Sequence, residues 1–185
     1  MIRQYLAPPA WLFIAMLPAA CAGIQVPDTA RMPPFAFGVV DPDVGAIELA
    51  QWAFADPIRT RGDPVDGARA VAAVDYLAGE LQASPRWQNM SVLTLMQMVQ
   101  ARAQVRQVVG IAPGAPSQQV VNSLIGAANA LAAGLQPAAL AALDNPIYQQ
   151  PPPQTLFKLS NLPYVPTANV ATQHAALQVF PPRDH

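Results

Sequence analysis

Proline placement most constrains what this chain can fold into. The chain has 21 prolines among 185 residues, about twice the usual share of roughly 5 %. A proline inside a helix removes a hydrogen bond and clashes with the preceding turn, whereas one at the first helical position costs nothing. Asp41-Pro42, Asp63-Pro64 and Ser84-Pro85 each pair a capping side chain with a proline, the pattern that starts a helix. These starts predict helices running to about Ala55, to about Ala83, and from Ser84-Pro85 to Val109, where Gly110 and Pro113 stop the third. Pro116-Ser117 opens a fourth that ends near Gly134, and Pro137 to Leu143 reads as a short fifth. Beyond Asp144, the prolines at 146, 151–153, 163 and 166 exclude a long helix. They leave Leu156 to Leu159 as at most a short strand or extended strap, followed by a last helix, Ala168 to Val179, capped by Thr167. The expected fold is all-α: a compact bundle of about five short helices, a Pro-rich extended C-terminal wrap and a final short helix.

Periodicity assigns the faces. Ala46, Ile47, Ala50, Ala53 and Phe54 form the inner side of the first helix, with Glu48 and Gln51 outside. Ala70, Val71, Val74, Leu77, Ala78 and Leu81 do the same for the second, opposite Arg69, Tyr76 and Glu80. On the third helix Val92, Leu95, Met96, Val99, Ala103 and Val109 share one arc with Arg102 and Arg106, and Gln97, Gln100, Gln104 and Gln107 take the other side. Helix four reads as the central helix of a soluble core. Ile147, Tyr148, Leu156, Phe157, Leu159, Leu162, Tyr164 and Val165 carry too much apolar surface for a free linker, so the wrap is expected to cover the helices.

The N-terminus has a different character. Arg3 precedes the apolar run Ala10 to Leu17, which is followed by Pro18-Ala19-Ala20-Cys21-Ala22-Gly23. This order of charge, apolar centre and small residues resembles a bacterial export signal, and eight residues are too few to cross a bilayer, which needs roughly 20. Two endings fit. The segment before Cys21 is similar to a bacterial lipobox, with Pro18 where leucine is usual. That resemblance implies a lipid on Cys21, a periplasmic location at the cell envelope and, because Ala22 rather than aspartate follows, anchoring in the outer membrane. Ala20-Cys21-Ala22 also has the A-x-A pattern of an ordinary cleavage site, which would release a soluble periplasmic or secreted chain from Gly23. A single cysteine makes no internal disulfide, which favours modification. The resulting organisation is an export signal at 1–20, a Pro-containing tether at 21–40, a helical domain at 41–143, and the wrap with its terminal helix at 144–185.

Charge narrows the function classes. Charged residues are 11 % of the chain and the net charge is -1, so nucleic acid is not an expected partner. With only His174 and His185, a histidine metal site or a Ser-His-Asp set lacks members. His174 is expected to be partly buried and hydrogen-bonded. The pairs Asp41/Asp43 and Asp63/Asp66 lie in first helical turns, where capping explains them, and Arg61-Gly62-Asp63 matches an adhesion tripeptide by letters alone. No catalytic, cofactor or metal residues are therefore assigned.

Two features stand out from this background. Arg102 and Arg106 repel each other across one helical turn unless an anion joins them. That anion is Glu48, Asp75 or Glu80 from a neighbouring helix, or an external ligand, making the arginines a candidate salt-bridge or anion site. Helix four lies in a charge-free stretch from Gln107 to Leu143. Gln119, Asn122, Gly126 and Asn129 share one of its faces, a candidate partner surface; Pro137 and the amides argue against a membrane span through Val120 to Leu143. The expected protein is a non-catalytic envelope lipoprotein, held in the membrane through Cys21 and working as a structural or accessory subunit beside another envelope protein. The alternative is a periplasmic binder of small anions that uses the two arginines and Trp87.

Overall fold

The second helix organises the rest. A computed structural model describes residues 27–38 and 41–181; the segment expected to be an export signal, Cys21 and the tail at 182–185 lie outside the described residues. Among the described residues seven α-helices follow in order: α1 (Pro42–Ala55), α2 (Pro64–Ala83), α3 (Val92–Val109), α4 (Ser117–Ala132), α5 (Gln136–Leu143), α6 (Pro152–Leu159) and α7 (Pro166–Val179). Asp63 Oδ1 accepts from the Val65 and Asp66 amides to start α2, as Asp41 does for α1. α2 then packs against α1, α3, α4 and α6. It is buried from Gly67 to Gly79 except at Arg69. The place expected for α4 at the centre of the core therefore belongs to α2, and Tyr76, expected outside, is buried. Small residues make this possible: a Cβ at Gly67 would stand 2.0 Å from the Leu159 carbonyl, and one at Gly79 would stand 2.3 Å from the Asp28 carbonyl.

Three local readings are corrected. Ser84 makes no side-chain cap, and Pro85–Trp87 is only a 3-10 turn. The third helix starts after Ser91, whose Oγ accepts from the Thr94 amide at 3.1 Å. The segment read as a strand or strap, Leu156 to Leu159, is the end of α6. Pro152 and Pro153 sit in its first turn, where their missing N–H groups are not needed. Thr167 is not a cap, because α7 begins at Pro166 and Thr167 Oγ1 donates to Gln104 Oε1 at 2.6 Å.

The C-terminal region covers the bundle through buried Ile147, Tyr148, Leu159, Leu162 and Val165, whereas Phe157 and Tyr164 are exposed. An antiparallel bridge between Ile111 and Tyr148 ties it to the end of α3, which Gly110 terminates at φ 81°. α7 lies antiparallel to α3 along a polar seam: Gln178 donates to Thr94, His174 Nδ1 meets Gln97 Oε1 at 2.7 Å, and Thr167 reaches Gln104. α3 is thus rotated from its expected orientation. Part of its glutamine side meets α7, and Val92, Met96, Val99 and Ala103, expected in the core, are exposed.

Changing Gly67 to Ala is predicted to cost about 3 kcal/mol, since backbone on both sides must move. Gly126→Ala, whose Cβ would meet nothing nearer than Ala142 at 3.7 Å, should stabilise by about 0.5–1 kcal/mol. Paired urea melts measure both. Tyr148 supplies a pH test: burial pushes its phenol up to about 12, against the partial effect of its hydrogen bond to Ser123. The unfolded phenol ionises near pH 10, so this contribution to stability is full below about pH 10 and is lost as pH rises towards about 12. Tyr148→Phe should flatten that alkaline fall in the urea midpoint, leaving the residual slope of Tyr76, whose phenol burial also raises.

Candidate functional site

Arg106 is almost fully enclosed, with 4 % of its side chain exposed. Nε and Nη2 donate to the two oxygens of Asp75 at 2.6 and 2.8 Å, a two-point grip from α2. Nη1 donates to the carbonyls of Pro113 and Ala115 at 2.9 and 2.8 Å, and the remaining Nη2 proton goes to Ser117 Oγ at 3.0 Å. A guanidinium has five N–H bonds, and each one is used inside the protein. Desolvation, the largest single influence, would lower its pKa, but Asp75 and Asp28 together outweigh it and raise the value.

Ser117 carries the network onward. The α4 N-terminus has only Pro116 as its own cap, so its free amide needs another acceptor. Asp28, 89 residues earlier, supplies it: the Ser117 amide donates to the Asp28 carboxylate at 3.0 and 3.2 Å, and Ser117 Oγ donates at 2.8 Å. Arg102 Nη1 donates to the Asp28 carbonyl at 3.1 Å and to Ser117 Oγ at 3.2 Å. Asp28 Oδ2 lies 3.9 Å from Arg102 and 3.7 Å from Arg106. Two arginines thus face two aspartates, which answers the repulsion expected between them. Asp75 was a named candidate for this role; Glu48 is exposed, and no ion pair joins Glu48 or Glu80 to either arginine. Asp28 was missed because it falls in the stretch expected to be tether. Around it, Ala30 and Ala36 are buried, and the Gln118 side-chain amide accepts from the Arg31 N–H and donates to the Arg31 carbonyl.

A second polar cluster joins α1 to the turn before α3. Asp41 caps α1, whereas Asp43 is buried. Tyr76 donates to Asp43 Oδ1, and Trp87 Nε1 donates to Oδ2 at 3.0 Å. Arg86 Nη1 bonds both aspartates, at 2.8 and 2.9 Å to Asp41 and 3.2 Å to Asp43, and its guanidinium lies 4.7 Å from the centre of the Trp87 ring. The Arg86 hydrogen bond holds the Asp41 carboxyl below the usual range. An open cleft beside this cluster is lined by Arg86, Trp87, Asn89, Met90 and Gln178. Arg86 brings its positive charge already matched by two carboxylates.

Gln119, Asn122, Gly126 and Asn129 are all exposed along α4, while Val120, Val121, Leu124, Ile125, Ala127 and Ala128 are buried. Among the described residues no group of acidic, histidine or cysteine side chains is placed to hold a metal, and no helix is long and apolar enough to cross a membrane. Neither a family model, a curated protein nor a solved structure matches the chain.

Replacing Asp75 by Asn strips Arg106 of its buried counter-charge and is expected to cost about 3 kcal/mol or more. Asp75→Leu combined with Arg106→Met should recover part of that loss, because no unpaired charge remains. Urea denaturation of the two variants tests the pair as a fold-holding element.

Proposed function

We propose that the protein is a non-catalytic lipoprotein of the bacterial cell envelope, fixed through a lipid on Cys21 and facing the periplasm. Its work is that of a structural or accessory subunit that engages another envelope protein. The observation that carries this reading is the state of the arginines: every N–H of Arg106 and Nη1 of Arg102 are spent on Asp75, Ser117 and backbone carbonyls, and the Asp75 and Asp28 carboxylates meet the two positive charges. What α4 presents to solvent is an uncharged row of amides. Such a row suits a protein partner, since amides hydrogen-bond across an interface without the desolvation penalty of full charges. The alternative, binding of a small anion, would have to use the Arg86 and Trp87 cleft, where the cation is already compensated.

Mass spectrometry of the mature chain tests the anchor. A diacylglycerol on Cys21 is expected, and Cys21→Ala should move the protein out of the membrane fraction; an unmodified chain beginning at Gly23 would instead give the soluble form. A photo-crosslinker at Asn129 tests the partner in cells. One discrete adduct with an envelope protein is expected, and its absence there and at Asn122 would end the accessory-subunit reading. Thermal melts across small anionic metabolites separate the alternative, which requires a ligand-dependent rise in Tm.

A further inference from the structure

We infer that the outer edge of α3, carrying Val92, Leu93, Met96 and Val99, rests on the lipid surface in which Cys21 is anchored; this deepens the lipoprotein reading and depends on it. These side chains are 71, 60, 66 and 37 % exposed. Val92, Met96 and Val99 stand four and then three residues apart, with exposed Ala103 extending the row, so they form one stripe along the helix. The stripe has no charge of its own. α3 contains no acidic residue, and its two arginines are turned to Asp28 and Asp75. A contiguous apolar edge of this kind marks a contact surface rather than ordinary scatter of exposed side chains.

The course of the N-terminal chain selects the occupant. Arg102 Nη1 holds the Asp28 carbonyl, and Val99 lies three residues from Arg102, less than one helical turn away. The chain therefore joins the folded body beside this stripe. Only residues 22–26 separate Cys21 from Pro27, and at ~3.5 Å per extended residue that span reaches about 20 Å. The tether expected over 21–40 would have allowed any face of the domain to meet the membrane. With Asp28 locked to Ser117, a lipid on Cys21 keeps the α3 edge within about two helix diameters of the headgroups. An interfacial helix sinks its apolar side chains about 5–10 Å into the boundary between headgroups and acyl chains. Four exposed aliphatic side chains on an uncharged edge fit that environment. The start of α2, with exposed Arg59, Arg61 and Asp63, does not.

The test uses the full mature chain with its acyl group in vesicles of phosphatidylethanolamine and phosphatidylglycerol. Met96→Cys introduces the one free thiol for an environment-sensitive fluorophore, Val92→Cys repeats the measurement, and Asn129→Cys on α4 is the comparison site. Emission from positions 92 and 96 is expected to shift to the blue on vesicle binding and to be quenched by lipids spin-labelled near the headgroup, with neither effect at 129. Flotation of the vesicles is scored separately. Protein that floats while its labels at 92 and 96 stay in water overturns the membrane-contact face and leaves the anchor standing. Protein that does not float and carries no acyl mass overturns the lipoprotein reading itself. Shielding that appears only when envelope proteins are added assigns the edge to a protein partner and overturns the lipid assignment.

Discussion

The grip of Arg106 on Asp75 is the constraint from which the rest follows. A buried guanidinium is tolerated only when its charge is met and its donors are filled. Filling them recruits Asp75 from α2, two carbonyls from the turn after α3, and Ser117 at the head of α4. Ser117 in turn binds Asp28 through both its amide and its hydroxyl. Three helices and the N-terminal segment thereby meet around one side chain. Apolar packing could tolerate small slips between these elements, but five directed hydrogen bonds define their relative positions.

Around that point, proline and small residues do complementary work. The prolines start helices at 42, 64, 152 and 166 without sacrificing hydrogen bonds. Gly67 and Gly79 then let the Leu159 and Asp28 backbones lie against α2. Asp43 ties α1 to α2 and to the turn before α3, where Tyr76, Trp87 and Arg86 converge on its carboxylate. The polar groups of these two clusters therefore join segments distant in sequence.

Capping chemistry is local, which is why the starts of α1 and α2 were legible from Asp41-Pro42 and Asp63-Pro64. The limits of such reading appear where a contact is not local. Asp28 caps α4 from 89 residues away, and nothing beside it in the chain announces that role. Periodicity found the apolar arc of α3 but could not tell which edge of it would be covered, because α7 takes the glutamine side through Gln97 and Gln104. Ser91 could have been found as a cap before an apolar run, and the prolines that hid α6 occupy the turn where they are harmless. Arg102 and Arg106 were conspicuous because two like charges shared an apolar arc; the identity of one partner, Asp28, was hidden by its place among the tether prolines.

Docking of the segment at 27–38 also changes how the domain relates to its N-terminus. It takes residues 27–38 out of the stretch expected to be tether and fixes them against α2 and α4. Amide hydrogen exchange at Ser117 tests this most directly, because that amide depends on the Asp28 carboxylate for protection. On changing Asp28 to Ala, the Ser117 amide should exchange rapidly while amides in the middle of α2 remain protected. Unchanged protection at Ser117 would contradict the docked N-terminal segment and the network built on Arg106.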